Sequence, residues 1–129
     1  GICYCIVFMV YSYECYSTLE IIFMTIYMVD IDGTICYTDG NKYKESKPKQ
    51  ARIEYLNELF DKGDEIHYWT ARGAKSGIDW IEFTKEQLKG WGVKFTSVKT
   101  GKPHYDLWID DKATSDNDYF WHGPKGLRR

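Results

Sequence analysis

Hydrophobic and polar positions change their spacing several times along the chain. Four short runs are apolar and rich in β-branched or aromatic residues, which predicts buried strands: residues 25–29, 65–69, 93–98 and 107–109. Two longer stretches, residues 48–62 and 78–89, carry apolar side chains at helical spacing, and Gly63, Gly90 and Gly92 end them. Strands that alternate with helices predict an α/β fold with a parallel sheet and right-handed crossovers.

The region between the first strand and the first helix carries turn signals. Asp39-Gly40 lies between strand-prone residues within the stretch 35–43 and predicts the tight turn of a small hairpin. Pro48 suits the first turn of the helix that follows, because the N–H that it lacks has no intrahelical partner there.

Composition and charge limit the class of protein. The 129 residues have the length of one domain, and 43% hydrophobic with 28% charged residues is the composition of a globular protein. A net charge of −2 gives no general electrostatic reason to bind nucleic acid or an anionic membrane. Three of the four cysteines precede residue 24 and none has the spacing of a zinc site, which fits a reducing, cytoplasmic location.

The first 23 residues differ from the rest of the chain. Residues 2–13 are almost wholly apolar, but this run is too short to cross a bilayer, and no basic residue precedes it as in a secretory signal. We therefore predict no membrane association, an extension over residues 1–23 and a folded domain over residues 24–129. The extension is either an appended segment ahead of a natural start at Met24 or an additional edge strand or helix.

Three of the predicted strands end in polar residues: Asp30, Thr70 and Asp110. Ligands of open α/β sheets bind where the carboxyl ends of the strands meet, so we expect these side chains to share one crevice. Two carboxylates two residues apart, Asp30 and Asp32, can divide the chemistry of phosphate transfer there. One attacks phosphorus, and the other transfers the proton of the leaving oxygen.

A carboxylate nucleophile needs help against the negative charge of a phosphate ester. A divalent cation relieves this repulsion, and Asp30 and Asp110 are the carboxylates that Mg²⁺ prefers beside water and phosphate oxygens. Gly33 permits a tight turn whose neighbouring N–H groups can face phosphate. Thr70 offers a hydroxyl donor, and Lys102 offers a compact cation.

These residues resemble the four motifs of the haloacid dehalogenase (HAD) superfamily. Asp30-Ile31-Asp32-Gly33-Thr34 resembles the first motif, Thr70 the second, Lys102 the third and Leu107-Trp108-Ile109-Asp110-Asp111 the fourth. The resemblance covers about residues 24–119. Within the superfamily, the stretches that contain Thr70 and Lys102 resemble small capless phosphatases of bacteria and phages, some of which are assigned to capsule polysaccharide biosynthesis.

The resemblance implies a fold and a set of roles. The fold is a three-layer α/β/α Rossmann-like core with a parallel sheet and no substantial cap domain. Asp30 would form an aspartyl-phosphate, and Asp32 would act as general acid and base. Mg²⁺ would be held by Asp30, the backbone carbonyl of Asp32 and Asp110, with Asp111 acting through water.

Substrate contacts are expected from the residues beside the phosphate: Gly33, Thr34, Ala71 and Arg72. Arg72 either binds a second anionic or hydroxyl group of the substrate or is a structural arginine. Lys102 is the predicted phosphate-site lysine, and Lys99 is the alternative.

The absence of room for a cap predicts an open site. Such a site suits a large substrate or one that a neighbouring subunit covers, so a homo-oligomer is one alternative for the assembly. The leading expectation is Mg²⁺-dependent hydrolysis of a phosphomonoester on a sugar or glycan precursor. Two alternatives stay open: a nucleotide or nucleic-acid-end phosphatase, which the net charge disfavours, and a non-catalytic HAD-like binding module, against which the intact acids argue.

Overall fold

The structure is a computed structural model, and residues 24–122 are the part of the chain that it describes. The predicted extension, residues 1–23, lies outside this part. In chain order the elements are β1 (Ile26–Val29), β2 (Cys36–Tyr37), a 3₁₀ helix (Tyr43–Glu45), β3 (Lys47–Pro48), α1 (Gln50–Asp61), β4 (Glu65–Trp69), α2 (Ile81–Gly90), β5 (Ser97–Lys99) and α3 (Asp116–His122). None of the described helices is long and apolar enough to cross a membrane.

Strands β1, β4 and β5 form a parallel sheet in the order β1-β4-β5, as the alternation of strands and helices predicts. Val29, the last residue of β1, is in register with Tyr68, so β1 and β4 end within one residue of each other. Asp30 and Thr70 therefore follow neighbouring strands at the same edge of the sheet.

The hydrophobic core lies between one face of this sheet and the three helices. Its buried residues come from both layers: Ile66, Tyr68 and Val98 from the sheet, and Ile53, Leu56, Leu59, Leu88 and Phe120 from the helices. On the opposite face of β1, Ile26 and Met28 are 61% and 57% exposed. The described residues thus form an α/β fold with helices on one sheet face, and a three-layer HAD core stays a prediction.

The predicted strand at residues 107–109 is wrong, because the structure has no strand there. Leu107 and Ile109 are 75% and 88% exposed, so the run is not buried. The ring of Trp108 instead packs edge-on against Trp69, with 5.8 Å between ring centroids, and against Tyr105 at 5.0 Å. One aromatic contact holds this three-residue run near the end of β4 without backbone pairing.

Both main helices begin later than their patterns predict. A hairpin is present, but the prediction that it lies within residues 35–43 is wrong: β3 is its second strand and residues 38–46 connect the two strands. Pro48 pairs with Cys36, and the helix begins only at Gln50. The second helix begins at Ile81, whose N–H donates to the Asp79 carboxylate at 3.0 Å. In the first case strand pairing takes up Pro48, and in the second the Asp79 side chain caps the N–H at the start of the helix.

Strand β5 is shorter than the run that predicted it. The backbone N–H of Val93 donates to the carbonyl oxygen of Leu88 at 2.9 Å, and that of Lys94 donates to the Asn57 side chain at 2.8 Å. These donors are bound to residues of α2 and α1, so pairing with β4 begins only at Ser97.

Candidate active site

Asp30 and Lys102 meet at the edge of the sheet, although 72 positions separate them in the chain. The ammonium of Lys102 donates to Asp30 Oδ1 at 3.2 Å. The hydroxyl of Thr34 donates to the other carboxylate oxygen at 3.1 Å. The Asp30 side chain is 36% exposed and that of Lys102 is 12% exposed. Asp30 is thus held by two donors and still reaches solvent.

The charge of Lys102 is well supported. Burial by itself would lower the pKa of this lysine, but the negative charge of Asp30 and the hydrogen bonds with Tyr105 and Asp30 together outweigh burial, so the pKa lies above its ordinary value. Lys99 is exposed at the end of β5. Between the two predicted lysines, the structure places Lys102 on the carboxylate of Asp30.

The turn after β1 is built around Gly33, which has a φ of +87° that other residues rarely adopt. Its N–H donates to the carbonyl oxygen of Cys36 at 2.9 Å, and the N–H of Thr34 donates to that of Ile31 at 3.0 Å. The predicted tight turn is therefore present. The N–H groups of Gly33 and Thr34 serve the turn itself, and Thr34 contacts the site through its hydroxyl.

Thr70 connects the end of β4 to the segment that carries the lysine. It is 1% exposed, and its carbonyl oxygen accepts from the backbone N–H of Lys102 at 3.3 Å. Its hydroxyl oxygen accepts from the N–H of Arg72 at 3.1 Å. Because the hydroxyl is an acceptor in that bond, its own hydrogen remains available to a phosphate oxygen.

Asp32 is bound by an arginine. The guanidinium of Arg72 donates through Nε to Asp32 Oδ2 at 2.9 Å and through one terminal nitrogen to Oδ1 at 2.8 Å. The hydroxyl of Thr38 also donates to Oδ1, at 2.6 Å. Burial alone would raise the pKa of Asp32, but the hydrogen bonds from Arg72 and Thr38 and the charge of Arg72 lower it below its usual value.

Arg72 is fully enclosed by protein. Its other terminal nitrogen donates to the Thr84 hydroxyl at 3.2 Å and to the Gln87 side-chain oxygen at 2.8 Å, and its guanidinium lies 4.7 Å from the ring centre of Tyr43. The side chain is 0% exposed. The structure therefore directs Arg72 toward Asp32, and the neighbouring Ala71 is half-buried.

Several residues of this site were not predicted from the sequence: Thr38, Tyr43, Thr84 and Gln87. Thr84 and Gln87 are three apart on α2, so they share a helix face. Two polar residues on the face that also presents the buried Leu88 are a signal for an internal polar partner.

The acids predicted to hold Mg²⁺ do not gather in the structure. Asp110 and Asp111 are exposed. A hydrogen bond from the backbone of Lys112 lowers the pKa of Asp110 below its usual value. Residues 24–122 contain no group of three His, Cys, Asp or Glu side chains placed to hold a metal ion. The arrangement of the described residues therefore does not fit a preassembled Mg²⁺ site. Of the predicted Mg²⁺ ligands, Asp30 is the one that contacts Lys102.

A groove of about 580 Å³ adjoins the site. It is lined by residues 98–101 and by residues of the loop after β4 and the start of α2: Arg72, Gly73, Ala74, Gly77, Ile78, Asp79 and Ile81. Ile78 and Ile81 give it apolar surface, and Lys99 and Asp79 give it charge. Lys102 directly follows Gly101 in the chain and Thr70 lies two residues before Arg72, so the groove lies close in the chain to both predicted phosphate-binding residues.

The chain resembles a solved crystal structure of an MCSG target from Vibrio cholerae, with a TM-score of 0.67 and 28% sequence identity. The match covers 74% of this chain and 87% of that chain. No protein-family model matches the chain, and no curated protein matches it. The structural similarity supports the α/β fold described above.

Proposed function

We propose that this protein hydrolyses a phosphomonoester through an aspartyl-phosphate on Asp30. The observation that carries the proposal is the 3.2 Å contact between Asp30 and Lys102 at the carboxyl edge of the parallel sheet. A carboxylate beside a partly buried cation suits attack on an anionic phosphorus, because the lysine offsets the charge repulsion. The hydroxyl of Thr70 is a further donor for a phosphate oxygen.

The proposed reaction has two steps. The first step starts from the protonated form of Asp32, which is the minor form at neutral pH because Arg72 and Thr38 lower the pKa of this carboxyl. An Asp30 oxygen attacks phosphorus, the bond from phosphorus to the leaving oxygen breaks, and Asp32 gives that oxygen its proton. In the second, water attacks phosphorus and passes a proton to Asp32, and the bond between phosphorus and Asp30 breaks. Inorganic phosphate leaves, and both carboxyl groups return to their starting states.

Mg²⁺ dependence is a proposal that rests on the HAD resemblance. A bound divalent cation supplies charge neutralisation at phosphate. Because residues 24–122 contain no group of three His, Cys, Asp or Glu side chains placed to hold a metal ion, the two steps above use only residues of the chain.

The proposed substrate is a phosphorylated sugar or glycan precursor. The groove beside the site is large enough for a leaving group of that size. Ile78 and Ile81 suit the apolar C–H face of a sugar ring, and Lys99 and Asp79 suit its hydroxyl groups. A nucleotide is the alternative that the substrate panel below distinguishes.

The test is hydrolysis of aryl phosphate, sugar phosphates and nucleotides, each with Mg²⁺ and with excess EDTA. Asp30→Asn should abolish turnover while the unfolding midpoint stays close to that of wild type. Lys102→Ala should lower kcat/KM by about 10²- to 10³-fold, more than Lys99→Ala does. Lys94→Ala is the control with wild-type activity, because Lys94 pairs with Asp61 on the surface.

Turnover that survives Asp30→Asn would overturn the nucleophile. A larger loss of kcat/KM for Lys99→Ala than for Lys102→Ala would show that Lys99, which lines the groove, is the phosphate-site lysine. Undiminished turnover in EDTA would overturn the Mg²⁺ dependence alone.

A further inference from the structure

We propose that Arg72 is a positioning residue that fixes the direction in which the Asp32 carboxylate points. The inference rests on the proposed function, since Asp32 is the proton carrier of that reaction. It replaces both expectations for Arg72, a substrate contact and a purely structural arginine, with a role exerted through Asp32.

The first support is the geometry of the contact. Two nitrogens of one planar guanidinium donate to the two oxygens of Asp32, at 2.9 and 2.8 Å. This fork fixes both the position and the plane of the carboxylate, which a single hydrogen bond does not. Thr38 adds a third donor at 2.6 Å.

The second support is that Arg72 is itself immobilised. Thr84 and Gln87 on α2 accept from its remaining terminal nitrogen, and the Gln87 amide donates to the carbonyl oxygen of Tyr43 at 2.6 Å. Arg72 thereby ties the turn after β1 to α2 and to the 3₁₀ helix. A guanidinium held from three segments is a rigid support, and a rigid support is what an oriented catalytic group requires.

The third support is accessibility. The Arg72 side chain is 0% exposed, whereas the Asp32 side chain is 25% exposed. A substrate can therefore reach Asp32 but not the guanidinium behind it. The guanidinium can therefore act on the reaction through Asp32 or through its positive charge, and Arg72→Lys keeps that charge.

The decisive variant is Arg72→Lys, which keeps the positive charge and loses the fork. We would measure kcat/KM for an aryl phosphate, whose oxygen leaves without a proton, and for a sugar phosphate, whose oxygen needs one. A mispositioned Asp32 should lower the sugar phosphate value at least about tenfold more than the aryl value, because proton transfer is worth about 10²- to 10⁴-fold. In an Asp32→Asn background, Arg72→Lys should cause little further loss on either substrate.

Arg52→Lys is the matched control. Arg52 is also buried, at 1% exposure, and donates to a carboxylate, that of Asp116, at 2.7 Å. A general loss of packing should lower both substrates by the same factor in this variant. The aryl-to-sugar ratio should move in Arg72→Lys and stay at the wild-type value in Arg52→Lys.

Equal losses on both substrates in Arg72→Lys, or losses that multiply with those of Asp32→Asn, would overturn the positioning role while leaving the proposed function intact. Absence of Asp30-dependent turnover in wild type would overturn the proposed function and this role together. Nuclear magnetic resonance gives a reading that needs no turnover: the Arg72 Nε–H should exchange slowly with solvent in wild type and faster in Asp32→Ala. A rapidly exchanging wild-type signal would overturn the fork itself.

Discussion

Replacing Gly73 with alanine should destabilise the loop after β4. Gly73 directly follows Arg72 and has a φ of +84°, a conformation that residues with a side chain rarely adopt. A Cβ atom at this position would also lie far inside van der Waals contact with the backbone oxygen of Ile78. The neighbour is backbone, so the loop from Gly73 to Ile78 would have to move.

Gly77→Ala separates the two costs. Gly77 lies in the same loop with a φ of +74°, and nothing lies within 4 Å of the position of its Cβ atom. In this variant the left-handed conformation should lower the free energy of unfolding by about 1–2 kcal/mol. About 0.4–1 kcal/mol of that loss should be recovered, because alanine lowers the entropy of the unfolded chain. Gly73→Ala should cost about 1–3 kcal/mol more, the usual penalty for overpacking.

Equilibrium unfolding in urea measures both variants, with the free energy taken from the midpoint and slope of each transition. The account predicts that Gly73→Ala is less stable than Gly77→Ala by at least about 1 kcal/mol. Equal losses in the two variants would refute the close approach of Gly73 to Ile78, and with it this conformation of the loop.

Two further predictions concern buried and exposed positions. Ile109→Ala should change the free energy of unfolding by less than about 0.5 kcal/mol, because the side chain is 88% exposed, whereas Ile66→Ala, at 0% exposure, should cost about 2–5 kcal/mol. A loss above about 2 kcal/mol at Ile109 in urea unfolding would show that residues 107–109 are buried after all, as their apolar pattern predicts. Tyr68→Phe should be neutral or stabilising by up to about 1 kcal/mol in thermal unfolding, because the phenol oxygen is buried without a hydrogen-bond partner among the described residues. Destabilisation by more than about 1 kcal/mol would instead reveal a partner for that hydroxyl.

The sequence was most informative where burial and chemistry coincide. Residues 65–69 form β4 as predicted, because a short β-rich run between a glycine turn and a polar residue strongly favours a strand. The edge that carries Asp30 and Thr70 follows from the rule that parallel strands end together. Lys102 was predicted from the HAD resemblance alone. Its contact with Asp30 joins residues 72 positions apart in the chain, and no local sequence pattern predicts such a contact.

The sequence was least informative where partners come from distant segments. The surroundings of Arg72 combine the turn after β1, the 3₁₀ helix and α2, and nothing in the local spacing around Arg72 indicates those contacts. Residues 107–109 show the opposite difficulty. Only the ring of Trp108 packs, against Trp69, while Leu107 and Ile109 stay exposed, so this apolar run is neither buried nor a strand.

The central claim, that Asp30 becomes phosphorylated, is tested most directly by trapping the intermediate. Asp32→Asn should slow the attack of water, so the phosphoenzyme should accumulate when this variant turns over an aryl phosphate. Acid quenching followed by borohydride converts an aspartyl-phosphate to homoserine, which peptide mass spectrometry locates. The account predicts homoserine at position 30. Wild-type turnover with an unmodified Asp30 in both proteins, or with homoserine at another position, would contradict it.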